Sequence, residues 1–207
     1  MSGLRERKKA ETRTALSWAA IRLTVERGFD NVKVEDIAEA AGVSPRTFNN
    51  YFGSKAEAIV SRHLDRSLRA ADELRRRPAD ESLWQAVTAA AMAQFEPGPE
   101  LEAMPMMDHA QWVAGLRVMM ADPALQGEML RAGAAAEAGL AAAVAERTGT
   151  DPKQDMYPHL VAAALTAASN VAMQHYLRVG PAIGVDVLLP EALAQIAAGL
   201  PTPPPRE

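Results

Sequence analysis

Val34 to Lys55 reads VEDIAEAAGVSPRTFNNYFGSK, and this stretch decides the fold. Val34, Ile37, Ala38 and Ala41 recur at i, i+3, i+4 and i+7, the apolar face of a short helix. Glu35 and Asp36 put negative charge in its first turn, where the helix dipole favours it. Gly42 stands where a helix needs a left-handed stop, which glycine supplies without steric cost. Val43 follows as an apolar plug at the corner. Ser44 is a good N-cap, and Pro45 suits the first helical position because its missing N–H has no partner to lose there. The second helix then runs from Pro45 to about Phe52. Phe48 and Phe52 lie i, i+4 on its inward face. Arg46, Thr47, Asn49 and Asn50 point away from the core, with Tyr51 at the rim. Gly53 ends this helix, and Ser54 with Glu57 forms an S-x-x-E capping box that starts the next, with Lys55 at its N-terminus. Two short helices about a glycine turn, ending in a shelf of polar and basic groups, suit the major groove of DNA.

The segment resembles the DNA-binding domain of the TetR family of bacterial transcriptional regulators. The matching residues are Gly28 and Phe29 after a first helix, Val34 to Ala38, Ala41 to Ser44, Thr47 with Phe48, Tyr51 with Phe52, and Ser54 with Lys55. The resemblance covers roughly the first 60 residues. It implies an all-α protein. An N-terminal three-helix helix-turn-helix DNA-binding domain comes first, and a larger helical ligand-binding and dimerisation domain follows. Two positions depart from the family pattern. Lys33 stands where Thr or Ser usually caps the first helix of the pair, and lysine has no acceptor for a backbone N–H. Asn49 stands where an aromatic residue is common.

The charge is divided along the chain. Residues 1–78 carry 16 Lys and Arg against 11 Asp and Glu, a net of +5, and residues 79–207 carry 6 against 15, a net of −9. The two recover the overall −4. The basic end coincides with the helix pair, as phosphate binding requires. Arg5, Arg7, Lys8 and Lys9 belong to it, either as a solvated basic tail or as further phosphate contacts. With 48% hydrophobic residues, 207 positions suffice for a substantial core, and few aromatics favour closely packed helices. There is no cysteine, hence no disulfide and no thiolate metal site. No apolar signal core opens the chain and nowhere do 18 apolar residues run together, so a cytoplasmic protein without membrane contact is expected.

About nine helices are expected. The first spans about Arg5 to Arg27, with Leu16, Ala19, Ala20 and Leu23 as its buried stripe. The helix pair follows, then a connecting helix from about 55 to 76, broken by the run Arg75, Arg76, Arg77 and Pro78. Later helices fall at about 80–95, 104–119, 123–147, 156–179 and 184–199, separated by Pro and Gly breaks. The domain reading is 1–55 for DNA binding, 56–200 for effector binding and dimerisation, and a disordered tail at 201–207 with four prolines.

Small residues on successive turns between Leu160 and Val179, beside an apolar stretch from Val185 to Ile196, admit two readings. They bury each other within one chain, or they pair two copies as a four-helix interface. The resemblance implies the second. A single recognition helix reads few base pairs, so a homodimer is favoured on physical grounds too. The candidate interface is Leu160, Leu165, Ala168, Ala172, Tyr176, Leu188, Leu189, Leu193 and Ile196.

Met92, Met104, Met106, Met107, Met119 and Met120 cluster around a Pro and Gly break with Phe95, Trp112 and Leu116. Methionine fills ordinary cores, and it also lines adaptable apolar sites. The resemblance implies an apolar ligand pocket in this half. Its candidate wall is Met92, Phe95, Met107, His109, Gln111, Trp112, Leu116, Met120, Asn170, Met173, Gln174 and His175. Few cations occur after residue 79, so the expected effector is neutral or cationic and apolar, with a fatty acyl derivative also open.

Enzyme motifs are missing: no cysteine nucleophile, no H-E-x-x-H, no G-x-S-x-G and no glycine-rich phosphate loop. The four histidines have no metal-ligand spacing, so neither metal nor cofactor is expected. The reading is a ligand-responsive regulator, a repressor that binds a palindromic operator in double-stranded DNA as a homodimer and is released by a small apolar effector. Arg46, Thr47 and Asn49 are expected at base edges. Lys33, Ser44, Pro45, Asn50, Tyr51 and Lys55 are expected along the backbone. Two alternatives stay open: a DNA-binding regulator without an effector, and an apolar-ligand-binding helical protein.

Overall fold

The computed structural model describes residues 2–94, 109–180 and 183–202, and every regular element among them is helical. Nine α-helices follow in order: α1 Ser2–Arg27, α2 Val34–Ala40, α3 Pro45–Asn49, α4 Lys55–Arg76, α5 Leu83–Ala93, α6 His109–Ala121, α7 Pro123–Thr148, α8 Tyr157–Val179 and α9 Val185–Ala197. A short 3₁₀ turn, Phe29–Asn31, links α1 to α2. The expected breaks hold at Gly28, Gly149 and Gly180, each at positive φ. The recognition segment is shorter than expected, since α3 ends at Asn49 and Asn50 caps it.

Packing groups the chain into two compact units, residues 1–65 with 97–132, and residues 66–96 with 133–207. In the first, Leu16, Ala20 and Leu23 of α1 are buried against Ile37 and Ala38 of α2, Phe48 of α3, and Phe52. Ala58, Ile59 and Val60 of α4 join them, and Leu125 and Ala132 of α7 close the core. Gly115 brings α6 close to α1, where a Cβ would stand 3.3 Å from the Val25 side chain. Ser17 Oγ donates to the Ala58 carbonyl at 2.6 Å, a buried polar link between α1 and α4. Arg13 adds an ion pair to Asp65 at 2.6 Å, and its guanidinium lies 5.3 Å from the Phe52 ring centre.

In the second unit α8 packs on α9, and α5 packs on α9. Here the candidate interface residues divide. Leu165, Ala168, Ala172 and Tyr176 of α8 and Leu188, Leu189 and Leu193 of α9 are buried within the chain, and Ile196 is half-buried. Within one copy they join helices to one another, and Ile196 keeps part of its surface. The reason is periodicity: these α8 positions lie on the opposite side from Leu160, Ala163, Ala167 and Val171. That outward side is exposed, with Leu160 at 62% and Val171 at 61%.

The loop between α4 and α5 is held by Arg147 of α7. Its guanidinium donates to the carbonyls of Arg77, Pro78 and Glu81 at 3.3, 2.6 and 2.7 Å. Arg77 pairs with Glu81, its Nε donating at 2.8 Å. Arg75 Nε reaches both carboxylate oxygens of Glu146 at 3.0 and 3.2 Å.

Candidate nucleic-acid interface

Helix α2 ends in a Schellman turn. The Val43 N–H donates to the Ala38 carbonyl and the Gly42 N–H to that of Glu39, both at 2.9 Å. Gly42 sits at φ 68°, the left-handed conformation the sequence required. The turn delivers Ser44 to the start of α3. There its Oγ accepts the Thr47 N–H at 3.1 Å and lies 2.9 Å from Thr47 Oγ1. Pro45 occupies the first helical position.

A five-residue helix cannot hold itself, because nucleation costs more than so few bonds return. Its anchor is the aromatic pair. Phe48 and Phe52 are 0% and 1% exposed, with ring centres 5.7 Å apart. Each contributes about 1.5–3 kcal/mol by burial. With this side pinned, the other faces solvent. Arg46, Asn49 and Asn50 are exposed, and their side chains hold no hydrogen bond among the described residues. Thr47 and Tyr51 are half-buried at the edges.

Of three polar groups, Lys33 lacks a cap as expected, and the other two differ in detail from the expectation. Lys33 precedes α2 without a side-chain cap, and Asp36 compensates by accepting the Lys33 N–H at 2.8 Å. The capping box at Ser54 is displaced: Ser54 Oγ accepts the Glu57 N–H at 3.0 Å, while Glu57 reaches back to the Gly53 N–H at 2.7 Å. Lys55 is the largest departure. Its ammonium is not presented with the shelf. It donates to the carbonyls of Phe29 and Val32 at 2.6 and 2.9 Å. No pattern in the sequence marks those carbonyls as partners, since they lie 26 and 23 residues away.

A groove of about 530 Å³ runs beside this corner, lined by Phe29, Ser54, Lys55 and Ala56 and by Pro123, Ala124, Gly127 and Arg131 of α7. Among the described residues, none of those expected to line an effector pocket borders it. Of those, Met92 is half-buried on α5, and Met120 is 40% exposed at the end of α6. Asn170 and Gln174 are exposed on α8, while Met173 and His175 are half-buried there. His175 Nδ1 accepts from Arg178 at 3.0 Å. His109, Gln111, Trp112 and Leu116 stand on α6, where their side chains are outside the description, and Phe95 and Met107 lie outside the described residues. No helix among the described residues is long and apolar enough to cross a membrane.

The sequence matches two family models: "Bacterial regulatory proteins, tetR family" over residues 18–59, and "MftR C-terminal domain" over residues 81–201. It is 36% identical to the HTH-type transcriptional regulator TcmR of Streptomyces glaucescens over 182 residues, 85% of this chain and 78% of that one. It is 30% identical over 198 residues to a protein of Mycobacterium tuberculosis described as a mycofactocin biosynthesis transcriptional regulator, MftR, with 94% and 93% of the two chains covered. Its fold is similar to that of Thermus thermophilus FadR, a repressor solved with lauroyl-CoA, at a TM-score of 0.52 and 20% identity over 94% of this chain and 98% of that one. With its turn, its cap, its aromatic anchor and these relatives in hand, the chain belongs to the TetR family of transcriptional regulators, DNA-binding helix-turn-helix proteins that are not enzymes.

Proposed function

We propose that the chain is a cytoplasmic repressor that binds a palindromic operator as a homodimer and leaves it when a small apolar effector binds. The observation that carries the DNA part is the uncommitted shelf: Arg46, Asn49 and Asn50 are exposed on a helix whose opposite face is locked by Phe48. Arg46, Thr47 and Asn49 read base edges, with Arg46 suited to the two acceptors of guanine. Lys33, Ser44, Pro45, Asn50 and Tyr51 follow the backbone and set the register. The division proposed is residues 1–55 for DNA binding and 56–200 for effector binding and dimerisation.

Two copies meet on the outward side of α8 through Leu160, Ala167 and Val171. Large apolar side chains this exposed on one face are what an interface covers. Of the residues expected there from the sequence, Leu160 is the one that stands on this face. The effector class draws support from the Met-rich region between Met92 and Met120 and from the lauroyl-CoA bound by the Thermus FadR. An acyl thioester is therefore the first compound to try.

Release is tested by titrating lauroyl-CoA, free laurate and neutral apolar compounds into the protein bound to a duplex it selects. Loss of the complex with one of them, and tighter packing seen as a raised melting temperature, is the expected outcome. A complex and a melting temperature indifferent to every compound would favour a regulator without an effector.

A further inference from the structure

Lys55 opens α4, and its partners all belong to another part of the chain. Besides the two carbonyls, its ammonium lies 4.0 Å from the centre of the Phe29 ring. An ammonium has three protons and no acceptor. Two of the protons meet carbonyl oxygens, and the negative face of the ring attracts the charge. Phe29 sits in the 3₁₀ turn after α1. Val32, 1% exposed, is the last core residue before α2. The next residue is Lys33, where α2 lacks a side-chain cap. The peptide just before α2 is thus held from α4 beside an N-cap residue whose side chain makes no capping bond.

The geometry points to Lys55 as a positioning residue for base recognition, one that sets where the helix pair leaves α1 by tying that connection to α4, and not as a phosphate contact. The inference rests on the docking of α3 proposed above. It assigns Lys55 an effect on which sequence is bound, whereas a phosphate contact affects all sequences alike.

The test uses the full-length protein and Lys55→Met, which keeps the apolar stem and removes charge and donors. Affinity is measured for a duplex recovered by the unaltered protein from a random-sequence pool and for a scrambled duplex of equal length. The measurements span a range of salt concentrations below the melting temperature of both proteins. Expected is a loss of roughly tenfold or more on the selected duplex, a change within about twofold on the scrambled one, and an unchanged salt slope. An equal loss on both duplexes with a slope smaller by about one overturns the proposal in favour of a phosphate contact. No loss on either overturns it as well. Lys55→Gln keeps two N–H donors without the charge. It is expected to recover much of the preference, and it serves as the readout if Lys55→Met does not fold. A variant with Gln no more selective than Met, or as unselective as scrambled binding, contradicts the inference. Failure of the underlying docking reads differently: the unaltered protein then selects no duplex, or Arg46→Ala keeps the full preference.

Discussion

Helix α3 has five residues and α8 has 23, yet the shorter one has the better-defined surface. In α3 every constraint is a distinct group. Gly42 sets the turn, Ser44 the cap and Phe48 the inward direction. The residues left over are polar and face solvent because nothing else is available to them. In α8 the buried side is Val161, Ala162, Leu165, Ala168 and Ala172, and the exposed side is Leu160, Ala163, Ala167 and Val171. The two sides have nearly the same chemistry. A helix is oriented by contrast between its faces, and length is no substitute for it.

The largest way to break this comparison is to remove the aromatic anchor. Phe48→Ala is expected to cost about 3–5 kcal/mol. It should lower the melting temperature and abolish DNA binding together. A melt unchanged by this substitution would mean that α3 is held by something other than its buried ring. On α8, Val171→Asp is expected to leave the helical signal intact while sedimentation shows one copy in place of two. If the mass stays at two copies, the outward face is not the interface. Next comes Arg46→Ala, which should relax base preference by about 1–3 kcal/mol at one position of each half-site. Selection from random DNA reads that directly, and an unaltered preference there would displace Arg46 from the base edges.

The smallest effect is expected at Glu81, which belongs to neither face. The Arg77 guanidinium, hydrogen-bonded to it, holds the Glu81 carboxyl below its ordinary range. Arg77 and Arg147 add charge attraction, and partial burial opposes them. The folded chain therefore takes up this proton less readily than the unfolded chain. The pair's contribution is present at neutral pH and fades as pH falls through the lowered pKa. Glu81→Gln should melt slightly below the unaltered protein at neutral pH, and the two should converge in acid. A gap that widens on acidification would reverse the sign of the linkage.

The same contrast explains how much was legible from residues alone. The helix pair was readable because Gly42, Ser44, Pro45 and the two phenylalanines each admit few conformations. The helices after residue 80 were readable as helices for a different reason, their Pro and Gly breaks. Their faces were not. Between Leu160 and Val179 alanine stands on both sides, so the stripe that packs α8 on α9 looked equally like one that joins two copies. The carbonyl partners of Lys55 were not legible for a third reason. Its chemistry fitted a phosphate as well as a carbonyl, and only the fold brings Phe29 and Val32 to it.

The central claim is that two copies of the α3 shelf read one operator. Selecting bound duplexes from a random-sequence pool with the full-length protein tests it most directly. The account predicts a palindrome with two equivalent half-sites whose centres lie about 10 base pairs or a small multiple apart. Enrichment of a single, unrepeated site, or of no sequence at all, would contradict it.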